Sequence, residues 1–211
     1  MLIKDIEKEV RNYFAGSRGS HDWEHTERVM KLAIHIGKKE KADLMVLKIA
    51  AILHDIGRQA QDQANGKICH AEEGARLAEK ILVSYPLSDQ AKSNILHCIV
   101  SHRFRNEHKP ETLEAKILYD ADKLDSIGAV GIGRAFLFAG EIGAKLHDKN
   151  IIPEDTQAYT VEDTAYREFL VKLSKIKNRM LTAEGKKMAV KRHQFMVAFF
   201  DQLNREVDGL I

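Results

Sequence analysis

The stretch Lys48–Gln59, KIAAILHDIGRQ, starts as a buried helix and ends on two ionisable residues, His54 and Asp55. Leu47, Ala51 and His54 stand at i, i+4 and i+7, so they share one face and His54 points toward the core. Gly57 is a natural helix stop. That puts Asp55 in the last turn, where the negative end of the macrodipole disfavours a carboxylate by about 0.3–1 kcal/mol, and a nearby cation would offset the cost. Taken alone, the pair reads as a core histidine beside a solvated acid. Further inward-facing ligands elsewhere in the chain would turn it into a site.

The remainder of the sequence is written in helices. Only three prolines occur in 211 residues, apolar residues recur near a 3.6-residue period, and no convincing strand alternation is present. Helices are expected over about 2–14, 21–38, 42–56, 70–84, 88–101, 111–126, 128–145, 162–178 and 183–207. Together they predict an all-α protein, a single helical bundle spanning 1–211 with additional C-terminal helices over 165–211. Between them the polar stretch His147–Thr164, HDKNIIPEDTQAYTVEDT, is expected to be a loop or a lid.

Composition narrows the functional classes. With 33 basic and 31 acidic residues the formal charge is +2, too small for a nucleic-acid footprint, and KIKNR and EGKKMAVKRHQ read as solvated helix faces. Two cysteines, Cys69 and Cys98, are too few for a disulfide framework and are expected to be small buried hydrophobes, which suits a reducing cytoplasm. The start, MLIKDIEKEVRNYFAG, is amphipathic like a structural helix and contains Asp5, Glu7 and Glu9, unlike a targeting peptide. No apolar run approaches the roughly 20 residues needed to cross a bilayer. In GAVGIGRAF the glycines Gly128, Gly131 and Gly133 follow no strand, so they read as helix-packing positions and not as a phosphate loop.

Three further segments supply inward ligands. In GSHDWEHTERVMKLAIHIG, His25, Val29, Leu32 and Ile36 fall on one stripe; Ser20 is the expected N-cap, Asp22 and Glu24 suit the positive helix start, and His21 faces either the same site or solvent. EAKILYDADKLDSIGA carries Asp120, Asp122 and Asp125 in a helical run. Neighbouring Asp122 and Asp125 repel unless Lys116, Lys123 or a metal intervenes. His70 heads the stripe Gly74, Leu77, Ile81, and His102 ends the stripe Ala91, Ile95, Cys98, so both face inward near helix ends. Two histidines and two carboxylates from three helices are the mixed nitrogen and oxygen set that suits a divalent transition ion. A zinc site built from Cys69, His70, His97 and Cys98 is excluded, because adjacent helical side chains diverge by about 100°.

HTERV from His25, LHDIGR around His54-Asp55 and DADKLD around Asp122 occur in the order found in the HD-domain metal-dependent phosphohydrolases, and the sequence resembles that family from about His21 to Arg134. The resemblance implies a metal-binding core over 21–134 with His25, His54, Asp55 and Asp122 as ligands, and gives Asp120 no role. It implies hydrolysis of a phosphate ester or anhydride by metal-activated water, with Asp55 or Asp122 orienting the water. The ion is expected to be manganese; iron, cobalt, nickel, zinc and magnesium are the alternatives. His70 and His102 complete the order H…HD…H…H…D, which in related subgroups holds a second metal or contacts substrate phosphates; phosphate contact is the expectation, making both catalytic and substrate-binding residues.

HDWEHTERV, HAEEGA and DADKLDSIGAVGIGR look most like the small bacterial HD hydrolases, some of which convert nucleoside triphosphates to monophosphate and pyrophosphate. A glutamate found soon after the dyad in some nucleotidases of the superfamily is replaced by the run HDIGRQAQDQ. The expected partner is therefore a small phosphorylated molecule, a nucleotide, with neither membrane nor nucleic acid. Arg58, Lys67, Arg103, Lys123 and Arg134 lie near the motifs as candidate phosphate contacts, Arg58 and Lys123 foremost. The alternatives are a catalytically silent, metal-bearing module for ligand sensing, or a phosphatase or phosphodiesterase acting on other nucleotides.

Overall fold

The computed structural model describes residues 2–14, 22–103 and 108–211; Ser20 and His21 lie outside the described residues. Among the described residues the structure is all-α, as expected, with helices α1 (Leu2–Val10), α2 (Trp23–Glu40), α3 (Leu44–Leu53), α4 (Arg58–Gln63), α5 (His70–Leu82), α6 (Asp89–Ser101), α7 (Leu113–Asp125), α8 (Gly128–Glu141), α9 (Ala165–Val171) and α10 (Ala183–Val207). None of them is long and apolar enough to cross a membrane. The chain divides into two compact units, Met1–Asp122 and Lys123–Ile211.

In the first unit α3 is central, packing against α1, α2 and α6, while α5 packs on α6 and α4 on α5. Sequence explains that place: from Val46 to Leu53 every residue of α3 except Lys48 is buried, the all-round apolar character of a helix enclosed by others. Its start is fixed by Asp43, whose carboxylate accepts from the backbone N–H of Met45 and Val46. Asp22 caps α2 in the same way, accepting from the His25 N–H at 2.9 Å. The start of α7 is tied down by Glu114, which accepts from the Asp43 N–H at 2.9 Å and from Asn94 Nδ2 at 3.0 Å.

The decisive stretch folds differently from expectation at its end. α3 stops at Leu53, residues 54–57 form a turn, and Gly57 is the N-cap of α4 and not the stop of α3. Gly57 has φ −85°, open to any residue. Its lack of a side chain instead lets the first turns of α5 approach, since a Cβ there would lie 2.3 Å from the His70 carbonyl oxygen and 2.5 Å from the Gly74 nitrogen.

The second unit joins α8, α9 and α10. Gly143, at φ +68°, ends α8 earlier than expected. The expected helix 162–178 is instead α9 followed by a 3₁₀ segment, Leu173–Arg179, because Thr164 caps the Arg167 N–H and so starts the helix at Ala165. His147–Thr164 is a loop containing one 3₁₀ turn, Pro153–Asp155. Its second half is tied to α9 by buried Arg167, which pairs with Asp163 at 2.8 Å and donates to Thr156. Gly128 and Gly131 are packing glycines: a Cβ at Gly131 would strike the Ser126 carbonyl oxygen at 2.2 Å, and one at Gly128 would press on Arg192. Gly133 has open space around its missing Cβ.

Candidate metal centre

Two helices of the first unit end in the same way. α3 stops at Leu53 and α6 at Ser101, and each is followed at its C-cap by a histidine. The last carbonyls of a helix have no intrahelical donor. Here the imidazoles supply it: His54 Nδ1 lies 2.7 Å from the Ala51 carbonyl and His102 Nδ1 2.6 Å from the Ile99 carbonyl. A carbonyl can only accept, so both Nδ1 atoms carry the proton. The neutral rings therefore turn proton-free Nε2 atoms inward.

His70, at the start of α5, turns its Nε2 to within 3.1 Å of His102 Nε2 and 3.2 Å of Asp55 Oδ1. Its Nδ1 meets the amide oxygen of Gln61 in α4 at 2.9 Å. His25 in α2 approaches His54 Nε2 at 3.4 Å and Asp122 Oδ1, from α7, at 3.5 Å. Asp55 joins the two groups. Its Oδ2 lies 3.8 Å from Nε2 of both His25 and His54, while its Oδ1 serves His70 and stands 3.7 Å from His102. His25, His54 and Asp122 form one cluster of potential ligand atoms and Asp55, His70 and His102 another, each with its atoms within 4.8 Å of one another.

Burial keeps the rings neutral. Desolvation lowers the His70 pKa to about 4, against a partial pull upward from Asp55, and lowers those of His54 and His102 as well. His54 and His102 thus aim proton-free nitrogens at the Asp55 carboxylate, with His70 Nε2 between His102 and Asp55. A concentration of acceptors of this kind fits a divalent cation, and imidazole with carboxylate is a suitable donor set.

The six motif residues come together as the order H…HD…H…H…D suggests. Arg58 places Nη2 3.4 Å from Asp55 Oδ1. Lys123 follows Asp122 in α7, about 100° around the helix. Lys67 is exposed between α4 and α5, and Arg134 pairs with buried Asp125 at 2.7 Å in the second unit. Asp120 is buried but stands outside both clusters. Of the cysteines, Cys98 is buried as expected, whereas Cys69 is half-buried and lies 3.7 Å from Arg103 Nη1. Sequence reading missed Gln61, which shares no helical stripe with His70 and lies nine residues before it. Lys186, Lys187 and Lys191 are exposed, but Arg192 is turned inward to cap the Leu124 carbonyl.

Residues 22–127 match the HD domain family. The protein YpgQ of Bacillus subtilis is 34% identical over 206 residues, covering 95% of this chain and 91% of YpgQ. The chain belongs to the HD domain family. A solved structure of YpgQ in complex with ADP matches with a TM-score of 0.74 at 30% identity, covering 97% of this chain and 94% of that one. An HD-superfamily hydrolase from Bacillus thuringiensis matches with a TM-score of 0.77 at 28% identity over 98% and 97% of the two chains. Ribonuclease Y of Borreliella burgdorferi is 31% identical over 116 residues, 55% of this chain but 21% of that enzyme. In general class this HD domain protein is a hydrolase of the HD superfamily.

Proposed function

We propose that this chain is a metal-dependent phosphohydrolase that cleaves nucleoside triphosphates to monophosphate and pyrophosphate. The observation that carries the metal reading is the convergence of imidazole Nε2 atoms on Asp55 from two sides. His25, His54 and Asp122 would hold one divalent ion, His70 and His102 a second, with Asp55 shared between them. Phosphate contact by His70 and His102, the expectation from sequence, suits neutral rings poorly, because an Nε2 without a proton has nothing to donate to a phosphate oxygen. Manganese remains the working choice of metal.

A divalent ion in such a site supplies Lewis acidity toward a phosphoryl oxygen and acidifies water. The chain itself contributes position and charge. Asp55, shared by the two groups, orders them around one centre. Arg58 and Lys123 carry the positive charge that a polyphosphate needs, and a charge-assisted contact of this kind contributes about 1.5–3 kcal/mol. The ADP held by YpgQ supports a nucleotide as ligand. The likeness to Ribonuclease Y favours a second reading, hydrolysis of phosphodiester bonds.

A panel of nucleoside mono-, di- and triphosphates, dinucleotides, cyclic dinucleotides and short RNA, incubated with Mn²⁺-loaded protein and resolved by chromatography, separates these readings. Monophosphate with pyrophosphate is the expected product pair. Stepwise release of orthophosphate would make the protein a phosphatase, cleavage of RNA or dinucleotides a phosphodiesterase, and tight nucleotide binding without turnover a sensor.

A further inference from the structure

α5 begins without a capping side chain of its own, since Cys69 at its N-cap makes no such hydrogen bond. The amide oxygen of Gln61 stands there instead, 3.4 Å from the His70 backbone N–H, 2.9 Å from His70 Nδ1 and 3.2 Å from Arg103 Nη1. The last contact fixes the orientation of the amide. A backbone N–H and a guanidinium N–H can only donate, so the group they share must be the oxygen of Gln61 and not its NH₂. His70 Nδ1 donates to that same oxygen when it carries the ring proton, and the competing acceptor is Asp55 Oδ1, 3.2 Å from Nε2, so the Gln61 contact is what draws the proton to Nδ1 and frees Nε2 toward Asp55 and His102.

This differs from the arrangement at the other two rings. His54 and His102 are held by backbone carbonyls of their own helices, which no substitution removes. His70 is the one of these three whose tautomer depends on a replaceable side chain. An outer hydrogen bond to a ligand imidazole fixes both ring orientation and tautomer, and its loss typically costs 10–100-fold in metal affinity.

We propose that Gln61, clamped by Arg103, is the positioning residue that fixes the tautomer and orientation of His70 and thereby sets the divalent-cation affinity of the Asp55, His70 and His102 group. The inference rests on the metal reading above. It makes Arg103, a candidate phosphate contact from sequence, part of the support for a ligand.

The test uses the full chain and does not depend on turnover. Ring-nitrogen NMR spectra of ¹⁵N-labelled, metal-free protein should show His54, His70 and His102 protonated at Nδ1. In Gln61→Met, His70 alone should pass to a mixture of tautomers. In equilibrium dialysis with Mn²⁺, the same variant should bind one class of ion as the wild type does and the other about 10–100-fold more weakly. Gln61→Glu, which keeps an acceptor oxygen, should restore both the tautomer and the affinity. A residue that merely capped α5 would move neither the His70 tautomer nor its rescue. Arg103→Met keeps Gln61 but removes one of the two donors that hold its amide oxygen toward His70, so it should give a partial loss even if Gln61→Met folds poorly. Retention of a single Nδ1-protonated His70 in Gln61→Met, with Mn²⁺ binding unchanged, overturns the proposal. Uptake of fewer than two ions by the wild type overturns the two-ion reading and the affinity half of the proposal, while the tautomer spectra still decide what Gln61 does.

Discussion

Replacing Gly57 by alanine tests how the turn after α3 holds the centre together. At φ −85° and ψ −1° the backbone accepts alanine without strain, so any effect is steric. The new Cβ would lie 2.3 Å from the His70 carbonyl oxygen, 2.5 Å from the Gly74 nitrogen and 3.1 Å from the Gly74 Cα, and all three are backbone atoms of α5. Ordinary contact begins at 3.4 Å, so the start of α5 must retreat by about 1 Å. Overpacking of this kind costs about 1–3 kcal/mol, and with no flexible side chain to yield, the upper end applies. For a chain of this size about 3 kcal/mol lowers Tm by about 6–12 °C. The same retreat carries His70 Nε2 away from Asp55 Oδ1, now 3.2 Å distant, and a misplacement near 1 Å costs hydrolysis about 100-fold.

Gly74→Ala is the matched control, on the opposite side of the same contact. Its Cβ would meet Gly57 N, His54 O and Ile99 Cγ2 at 3.5 Å each, which is ordinary packing. Alanine in place of glycine inside a helix gains about 0.8–1 kcal/mol. Gly74→Ala should therefore keep or slightly raise Tm and retain its metal. Thermal unfolding followed by circular dichroism on metal-free protein, with Mn²⁺ dialysis of the folded variants, measures both effects. A Gly57→Ala protein as stable and as metal-replete as the wild type, or a Gly74→Ala protein that loses more than it, would refute the reasoning.

Other consequences are equally open to measurement. Asp55→Asn, which discharges the shared carboxylate, should empty both groups by elemental analysis and abolish hydrolysis, whereas His54→Ala should chiefly empty the His25, His54 and Asp122 group; full activity in metal-stripped His54→Ala would sink the mechanism. Arg58→Ala should lower kcat/KM for a nucleoside triphosphate by about 10–100-fold, from the loss of about 1.5–3 kcal/mol of charged contact, with metal content unchanged. The metal-free protein should lose stability as pH falls from 6.5 toward about 4. The His70 ring is neutral in the fold and protonates on unfolding, so the unfolded state binds more protons in that window and stability rises with pH across it. His70 alone corresponds to about 3 kcal/mol, and urea midpoints between pH 4 and 7.5 that do not move would contradict it.

Much of this was legible in the sequence because periodicity reports facing. The stripes ending at His54 and His102 and beginning at His25 and His70 set all four rings inward, and the structure brings them together with Asp55 and Asp122. The end of α3 was not legible. Gly57 reads as a stop from local rules, but what determines the turn is the approach of α5 from thirteen residues away in sequence, His70 to Gly57, a tertiary contact that propensity does not encode. Helix lengths in the second unit deviate for a similar reason, since Gly143 and the Thr164 cap decide where α8 and α9 end and begin.

The tautomers lie at a further remove from sequence. A helical stripe gives the direction of a ring but not which of its nitrogens carries the proton, and that distinction separates a phosphate donor from a metal ligand. For His54 and His102 the missing information is in the helix end itself. A histidine placed just past the last turn satisfies a carbonyl of its own helix through Nδ1 and must present Nε2 bare. His70 stands at a helix start, where the open backbone groups are N–H donors, so no carbonyl of its own helix is available to take the Nδ1 proton. An acceptor from another element is required, and Gln61 is that acceptor. The position of a histidine relative to its helix thus decides whether its tautomer is fixed locally or by a partner that sequence alone does not name.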